Sequence, residues 1–239
     1  MTLTSSKAFD LTTALAMALV EANNRVIICG RDKEKLSAAR ELWPALTTLV
    51  CDITDAQDLA QLEVQIRGRF PGLNILINNA GIQRPMAVMD SNYDEMQIEH
   101  EINTNLTAPI NLTHRLLPLL TSQKESSIVF VSSALARVPK YTAPVYCASK
   151  AGIYLFVESL RHQLNNTNSR VVEVIPDLVD TPMMADRPGS KKTQPAVLAG
   201  SFLRGVEGDS NTTFIGRTRL LFGLQRLLPN LARSIISKD

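Results

Sequence analysis

The sequence is poor in glycine, in aromatic residues and in excess charge. It has 11 glycines in 239 residues, aromatic residues make up 5%, and Lys plus Arg exceed Asp plus Glu by 25 to 23. So small a net charge favours neither a nucleic-acid nor an anionic-membrane partner. The chain also lacks an apolar run of about 18 residues and a basic-then-apolar opening segment, so we expect no membrane span and no secretory signal.

Cysteine is scarce as well. The three cysteines, Cys29, Cys51 and Cys147, are odd in number, far apart, and set in or beside apolar runs. Free thiols in such positions pack as small hydrophobic groups, which argues against a disulfide framework and against a zinc site. A reducing compartment suits such thiols, and we expect a cytoplasmic protein.

What the chain does contain is a regular alternation of two patterns. Short runs rich in β-branched residues predict strands at 25–29, 49–51, 74–78, 127–132, 171–175 and 213–215. Longer stretches of helical period predict helices at 11–22, 33–41, 56–67, 93–120, 145–165 and 220–237. The strand runs are almost continuously apolar, which is typical of parallel strands buried on both faces. Alternation over the whole length predicts one doubly wound, Rossmann-like α/β domain over residues 1–239.

One stretch has no strong periodicity. It lies between Pro182 and Asn211 and contains Pro188, Gly189 and Pro195. This composition indicates a segment that covers the fold and shapes a pocket, rather than a core element.

Polar residues follow four of the predicted strands. In open α/β sheets ligands bind beyond the carboxyl ends of the strands, so these positions are candidates for a site. They are Gly30-Arg31-Asp32, Asp52-Ile53, Asn78-Asn79-Ala80-Gly81 and Ser132-Ser133. Tyr146 and Lys150 follow on one predicted helix, four residues apart and therefore on the same face.

Together these residues resemble the short-chain dehydrogenase/reductase family. The shared motifs, in order and spacing, are NNAG at 78–81, Asn105 in EINTN, Ser133, YCASK at 146–150 and IPDLVDT at 175–181. The resemblance runs from about Val26 to the C-terminus. It implies an oxidoreductase that transfers a hydride between a nicotinamide dinucleotide and a small carbonyl or alcohol substrate, assembled as a homodimer or homotetramer.

The resemblance also implies a role for each catalytic candidate. Tyr146 would exchange the proton, because an ammonium one helical turn away favours the phenolate and lowers a pKa that is near 10 in free tyrosine. Lys150 would supply that charge and hold the nicotinamide ribose. Ser133 would donate a hydrogen bond to the substrate oxygen. Asn105 would hold a water that links Lys150 to solvent.

The end of the first predicted strand bears on the choice of cofactor. NAD enzymes of this type commonly carry an acid where this chain has Gly30, and Arg31 follows. A guanidinium suits a 2′-phosphate, so NADP is favoured over NAD, although Arg31 also fits a solvated charge at a helix start. By resemblance, Asp52 and Ile53 would bracket the adenine. The further cofactor contacts implied in this way are Asn79 and Gly81 at the adenosine ribose and Thr181 at the carboxamide.

The N-terminus departs from the family. Relatives begin with an apolar strand and a TGxxxGxG turn that closes on the pyrophosphate. This chain has no glycine before Gly30, and MTLTSSKAFD lacks a β-branched run. We therefore expect the first strand, which the family places between the strands at 25–29 and 74–78, to be missing or degenerate. Met1 to Phe9 would then form a substitute strand, the two halves would close the gap, or the protein would be marginally stable and inactive.

Asp177 is a second departure, because relatives carry Pro or Gly there beside the nicotinamide. Its carboxylate would either disfavour the ring or face solvent. Three hypotheses follow. The first is an NADP-dependent oxidoreductase, and the second is a non-catalytic relative that keeps the fold as a binding or regulatory subunit, or a truncated product without independent function. The third is a structural protein that uses only its helical faces. The retained catalytic residues favour the first hypothesis, and the missing phosphate turn favours the second.

Overall fold

The structure is a computed structural model that describes residues 11–85, 88, 94–178, 192–208 and 210–237. Strands occupy all six predicted positions, with ends shifted by a few residues. They are β1 (Ile27–Gly30), β2 (Thr47–Val50), β3 (Ile75–Asn78), β4 (Ser126–Val131), β5 (Ser169–Ile175) and β6 (Thr212–Phe214).

Helices separate the strands throughout the described part of the chain. They are α1 (Leu11–Glu21), α2 (Lys33–Leu42), α3 (Ala56–Arg69), α4 (Glu95–Ile102), α5 (Ala108–Thr121), α6 (Pro144–Gln163), α7 (Pro195–Glu207), α8 (Thr218–Leu227) and α9 (Pro229–Ser237). A π-helical turn covers Asn103–Thr107, and a 3₁₀ turn covers Ala134–Ala136. Among the described helices, none is long and apolar enough to cross a membrane.

All strand pairs are parallel and fall into two sheets. β1 pairs with β2, and the other sheet has the order β3-β4-β5-β6. The predicted doubly wound parallel architecture is therefore confirmed. β1 and β3 belong to separate sheets, so the two halves do not close the gap by pairing these strands. The alternative strand, Met1 to Phe9, lies outside the described residues, and the missing first strand stays a prediction.

The core lies on both faces of the four-stranded sheet. Successive side chains of β4 point to opposite faces: Ile128 and Phe130 pack with α3, α5 and α6, whereas Val129 and Val131 pack with α1 and α7. A third cluster, around Ile28 of β1, packs with residues of α1 and α2. Two helical layers thus enclose the sheets, because each strand needs cover on both faces.

Two predicted helices depart from a regular α-helix. The helix predicted at 93–120 is continuous over 95–121, and the π turn lies within it, between α4 and α5. Its first residue, Tyr93, lies outside the described residues. The helix predicted at 220–237 divides at Leu228, since Pro229 lacks an N–H and disfavours helical geometry in the residue before it.

The segment between Pro182 and Asn211 is not the irregular cover that its composition indicated. Its second half forms α7, whose Leu198, Ala199 and Phe202 are buried against α1 and the sheet. Pro195 stands in the first turn of α7, where its fixed φ favours helix initiation. Residues 179–191 lie outside the described residues.

Candidate active site

Tyr146 and Lys150 lie in the first two turns of α6. The Lys150 Nζ is 5.7 Å from the centre of the Tyr146 ring. Both residues are buried, at 8% and 5% exposure. The predicted pair is therefore together in the structure, and its cation is within range of a favourable interaction with the ring.

The Lys150 amine also contacts the end of the central strand. Its Nζ donates to the backbone oxygen of Val131, the last residue of β4, over 2.9 Å. Burial lowers the pKa of Lys150 to about 8 from a usual value of 10.5, because desolvation penalises the ammonium. Burial thus destabilises the Lys150 ammonium beside Tyr146, and its protonation changes near pH 8.

Ser133 begins the 3₁₀ turn that follows β4. Its Oγ accepts a hydrogen bond from the backbone N–H of Leu135 over 3.1 Å. A hydroxyl that accepts one bond can still donate its own hydrogen. Ser133 therefore keeps a donor while its side chain is fixed at the carboxyl end of the sheet.

Asn105 lies in the π turn and is almost completely buried. Its amide nitrogen donates to the Ile82 oxygen over 2.8 Å and to Ser149 Oγ over 3.1 Å, and its oxygen accepts from the Ile82 N–H over 2.8 Å. Ser149 in turn donates to the Tyr146 carbonyl over 2.8 Å. Asn105 thus joins the chain after β3 to the turn of α6 that carries the tyrosine.

Gly81 brings the end of β3 to the same cluster. A Cβ built at this position would lie 3.4 Å from Asn105 Oδ1 and 3.6 Å from Lys150 Nζ. Any side chain here would therefore be in contact with both polar side chains. With the end of β3, four elements meet here, because Asn105 lies in the π turn, Ser133 begins the 3₁₀ turn, and Tyr146 and Lys150 lie in α6.

Arg31 and Asp52 follow β1 and β2 and lie together. An Arg31 nitrogen is 3.6 Å from an Asp52 carboxylate oxygen. Asp52 also accepts from the Thr54 hydroxyl over 2.7 Å and the Thr54 N–H over 2.9 Å. These Thr54 bonds, with the Arg31 charge, lower the pKa of Asp52 against a smaller opposing effect of burial. Ile53, which lies between Asp52 and Thr54 in the sequence, is partly buried and packs against the core.

Asn79 makes a contact that the sequence did not reveal. Its amide nitrogen donates to Thr12 Oγ1 in the first turn of α1, over 2.8 Å. Its side-chain oxygen is buried and has no hydrogen-bond partner within the described part of the chain. Thr181, the predicted carboxamide contact, lies outside the described residues.

Asp177, the unusual acid after β5, is held by the start of α8. Its carboxylate accepts from the Arg217 backbone N–H and from Arg217 Nε, each over 3.2 Å, and from the Leu178 N–H over 2.9 Å. A Cβ at Gly216 would lie 2.7 Å from the Asp177 Cβ, and Gly216 has a φ of +71°, so only glycine fits there. At 17% exposure the carboxylate does not face solvent freely, and its effect on the nicotinamide ring stays a prediction.

Two fully buried carboxylates were missed. Glu101 precedes Asn105 by one turn, and Glu173 lies in the middle of β5; both are 0% exposed. Burial raises the pKa of each. The signal for Glu173 was an acid inside the apolar run VVEVI, which implies a buried partner.

Comparison with known proteins agrees with this geometry. The short chain dehydrogenase family matches residues 10–192 of the chain. The uncharacterized oxidoreductase DltE of Bacillus subtilis is 40% identical over 167 residues, and sepiapterin reductase of Chlorobaculum tepidum is 35% identical over 153 residues. These matches cover 70% and 64% of this chain and 66% and 62% of the relatives, so the chain spans just under two thirds of their length.

Solved structures share the fold. A short chain dehydrogenase from Burkholderia cenocepacia, in complex with NADP, has a TM-score of 0.83 and 26% identity, over 95% of this chain and 92% of its own. A gluconate 5-dehydrogenase from the same species, in complex with NADP and tartrate, has a TM-score of 0.80 and 18% identity, over 90% and 93%. Matched over most of its length in sequence and fold, the chain belongs to the short chain dehydrogenase family.

Proposed function

We propose that the protein is an NADP-dependent oxidoreductase that interconverts a small carbonyl and the corresponding alcohol. The observation that carries this proposal is the buried Lys150 amine 5.7 Å from the Tyr146 ring, at the carboxyl end of the sheet. Membership in a family of dehydrogenases and relatives named as reductases and oxidoreductases support the reaction class.

Several residues suit a dinucleotide. At Gly81 there is no side chain between the backbone and the Asn105 and Lys150 side chains, which favours the close approach of a ribose to the backbone. The residues proposed to hold the cofactor are Arg31, Asp52, Ile53, Asn79, Gly81, Tyr146, Lys150 and Thr181. When bound, the nicotinamide supplies or accepts the hydride.

The protein's own residues move the proton and stabilise charge. In carbonyl reduction the Tyr146 hydroxyl gives its proton to the substrate oxygen, and in alcohol oxidation the phenolate takes it back. The Lys150 ammonium favours the phenolate electrostatically. Ser133 donates a hydrogen bond to the oxygen on which negative charge develops. Asn105 fixes the tyrosine's turn of α6 and is proposed to hold a water in the proton path.

The choice of NADP rests on Arg31. Its side chain is 64% exposed and 3.6 Å from Asp52, so the guanidinium is accessible to a 2′-phosphate. A phosphate would compete with the Asp52 carboxylate for that guanidinium, and bidentate pairing with phosphate is the stronger interaction. NADP or NADPH in the solved relatives agrees with this choice.

A second candidate function is binding or regulation without catalysis. The observation in its favour is that residues 1–25 contain no glycine and therefore lack the TGxxxGxG sequence of the usual pyrophosphate turn. In the first turn of α1 the Thr12 hydroxyl is already bonded to Asn79.

Titration with NADPH, followed by fluorescence or calorimetry, separates the two functions. We expect a dissociation constant in the micromolar range. Absence of binding at millimolar NADPH would rule out the enzyme and leave the second candidate.

We further propose a cytoplasmic, single-domain protein that forms a homodimer or homotetramer. The three free thiols suit a reducing compartment. Light scattering coupled to gel filtration measures the assembly, and a mass equal to the 26.3 kDa chain would contradict it.

A further inference from the structure

An ion pair connects the end of the turn that carries Ser133 to the buried strand β5. Arg137 follows the 3₁₀ turn, and its Nη2 is 3.5 Å from an oxygen of Glu173 in β5. Glu173 is completely buried, and Arg137 is 28% exposed. An acid buried in a central strand needs such a partner, so the turn after β4 is bound electrostatically to β5.

The Arg137 guanidinium also contacts two aromatic rings. It is 4.0 Å from the centre of the Tyr154 ring in α6 and 4.5 Å from the centre of the Phe222 ring in α8. A planar, delocalised cation suits this arrangement, and a lysine ammonium would not reproduce it. One side chain therefore contacts β5, α6 and α8 together.

The start of α8 is held at the sheet by hydrogen bonds and an ion pair. The Thr218 hydroxyl, in the first turn of α8, is within 3.1 Å of the Ile175 oxygen and 3.0 Å of the Ile215 oxygen. Arg217, just before it, is paired with Asp177 at the end of β5. Phe222 is thus presented to Arg137 by a helix that is itself anchored at the carboxyl edge of the sheet.

We propose that Arg137 is a positioning residue for Ser133, and that α8 acts on the active site through it. Among the described residues, the hydrogen bonds of the turn are short-range: Leu135 N–H to Ser133 Oγ, Ala136 N–H to the Ser133 oxygen, and the N–H groups of Arg137 and Val138 to the Ala134 oxygen. Arg137 adds long-range contacts with β5, α6 and α8 to the direct packing of this turn on α6, where Tyr146 lies. The effect on turnover rests on the proposed function; the effect on the turn does not.

Hydrogen exchange of backbone amides tests the effect on the turn without cofactor or substrate. We expect the amides of residues 135–138 to exchange at least fivefold faster in Arg137→Met and in Phe222→Leu than in the parent protein. Phe156→Leu is the matched control, because Phe156 packs edge-on to Phe130 on another side of α6. Amides of β3 serve as an internal reference.

Each outcome of this experiment either supports or overturns the positioning role of Arg137. Faster exchange confined to 135–138, in both variants and not in the control, supports the proposal. Unchanged exchange at 135–138 overturns it. Equal acceleration in β3 and in the turn also overturns it, since the residues would then stabilise the whole fold without orienting the turn.

A double variant separates positioning from stability during turnover. Arg137→Met leaves the Glu173 carboxylate unpaired and lowers Tm, and adding Glu173→Gln removes that charge and restores Tm. With NADPH and 9,10-phenanthrenequinone as the carbonyl probe, we expect kcat to stay about tenfold below the parent in the double variant. Recovery of kcat together with Tm overturns the proposal. If the parent binds no NADPH, the proposed function fails, and the exchange experiment still decides the role of Arg137.

Discussion

The Lys150 amine lies 5.7 Å from the centre of the Tyr146 ring and donates a 2.9 Å hydrogen bond to the Val131 carbonyl. One side chain therefore links the proposed proton donor on α6 to the end of the central strand. Because the two residues are four apart on a helix, α6 fixes their separation before any ligand binds.

Tyr146→Phe should remove turnover and leave cofactor binding intact. The ring stays in place, but the only hydroxyl proposed to exchange the proton is lost, so we expect kcat to fall by about 10²- to 10⁴-fold. NADPH titration should change less than threefold. The control is Tyr141→Phe, whose side chain is 70% exposed and which should behave as the parent does. Substantial turnover in Tyr146→Phe would refute the role of the tyrosine.

Lys150 should make stability depend on pH. Its pKa is about 8 in the folded protein and 10.5 when exposed, so between these values the unfolded chain binds more protons. The free energy of unfolding contributed by Lys150 is therefore lowest below pH 8 and rises from about pH 8 to 10, by at most about 1.4 kcal/mol per pH unit.

Urea unfolding of the parent and of Lys150→Met from pH 6 to 10 measures this contribution as a difference. We expect the difference to be flat up to about pH 7 and to increase in favour of the parent above pH 8. Parallel curves across the whole range would show that the folded-state pKa is not lowered.

Arg31→Ala should weaken NADPH binding selectively. Loss of a charge-assisted pair with the 2′-phosphate costs about 1.5 to 3 kcal/mol, which is at least about tenfold in the dissociation constant. NADH binding should change little. The exposed Arg31–Asp52 pair contributes little to the free energy of unfolding, so Tm should not change. Arg40→Ala, an exposed position in the last turn of α2, is the control. Equal loss of NADPH and NADH affinity would contradict phosphate recognition by Arg31.

Gly81→Ala should obstruct the cofactor without unfolding the protein. The new methyl would lie 3.4 Å from Asn105 Oδ1 and 3.6 Å from Lys150 Nζ, which are ordinary contacts in the free protein. It would occupy the space proposed for the ribose, and overpacking of about 1 to 3 kcal/mol corresponds to roughly tenfold weaker NADPH binding or more.

The matched control is Gly68→Ala in α3, where a Cβ meets nothing within 4 Å. Unfolding experiments should show little change for Gly81→Ala and a slight gain for Gly68→Ala, since alanine favours the helix. Unaltered NADPH affinity in Gly81→Ala would place the cofactor elsewhere.

The elements were predictable because buried parallel strands appear as short apolar runs and each is followed by a helix. The pairing of Tyr146 with Lys150 was predictable for a similar local reason, since both lie on one helix. The π turn was not, because one extra residue within a long helix hardly disturbs an apolar period of 3.6.

The long-range contacts of the site could not be predicted from the sequence. Asn79 meets Thr12 across 67 positions, and Arg137 meets Glu173 across 36. Such pairs depend on how separate elements pack, which local patterns do not encode. The α7 helix was missed because the composition of its proline-containing neighbourhood outweighed the apolar spacing of Leu198 and Phe202.

The π turn at Asn103–Thr107 amounts to a single-residue insertion between α4 and α5. Deleting one residue from this turn would restore regular helical hydrogen bonding, yet it would rotate everything on one side of the deletion by about 100°. Asn105 would then lose its alignment with Ile82 and Ser149. The position of Asn105 therefore depends on the π turn. A chain shortened by one residue here would have a more regular helix and would lose the hydrogen bonds that place Asn105 in the site.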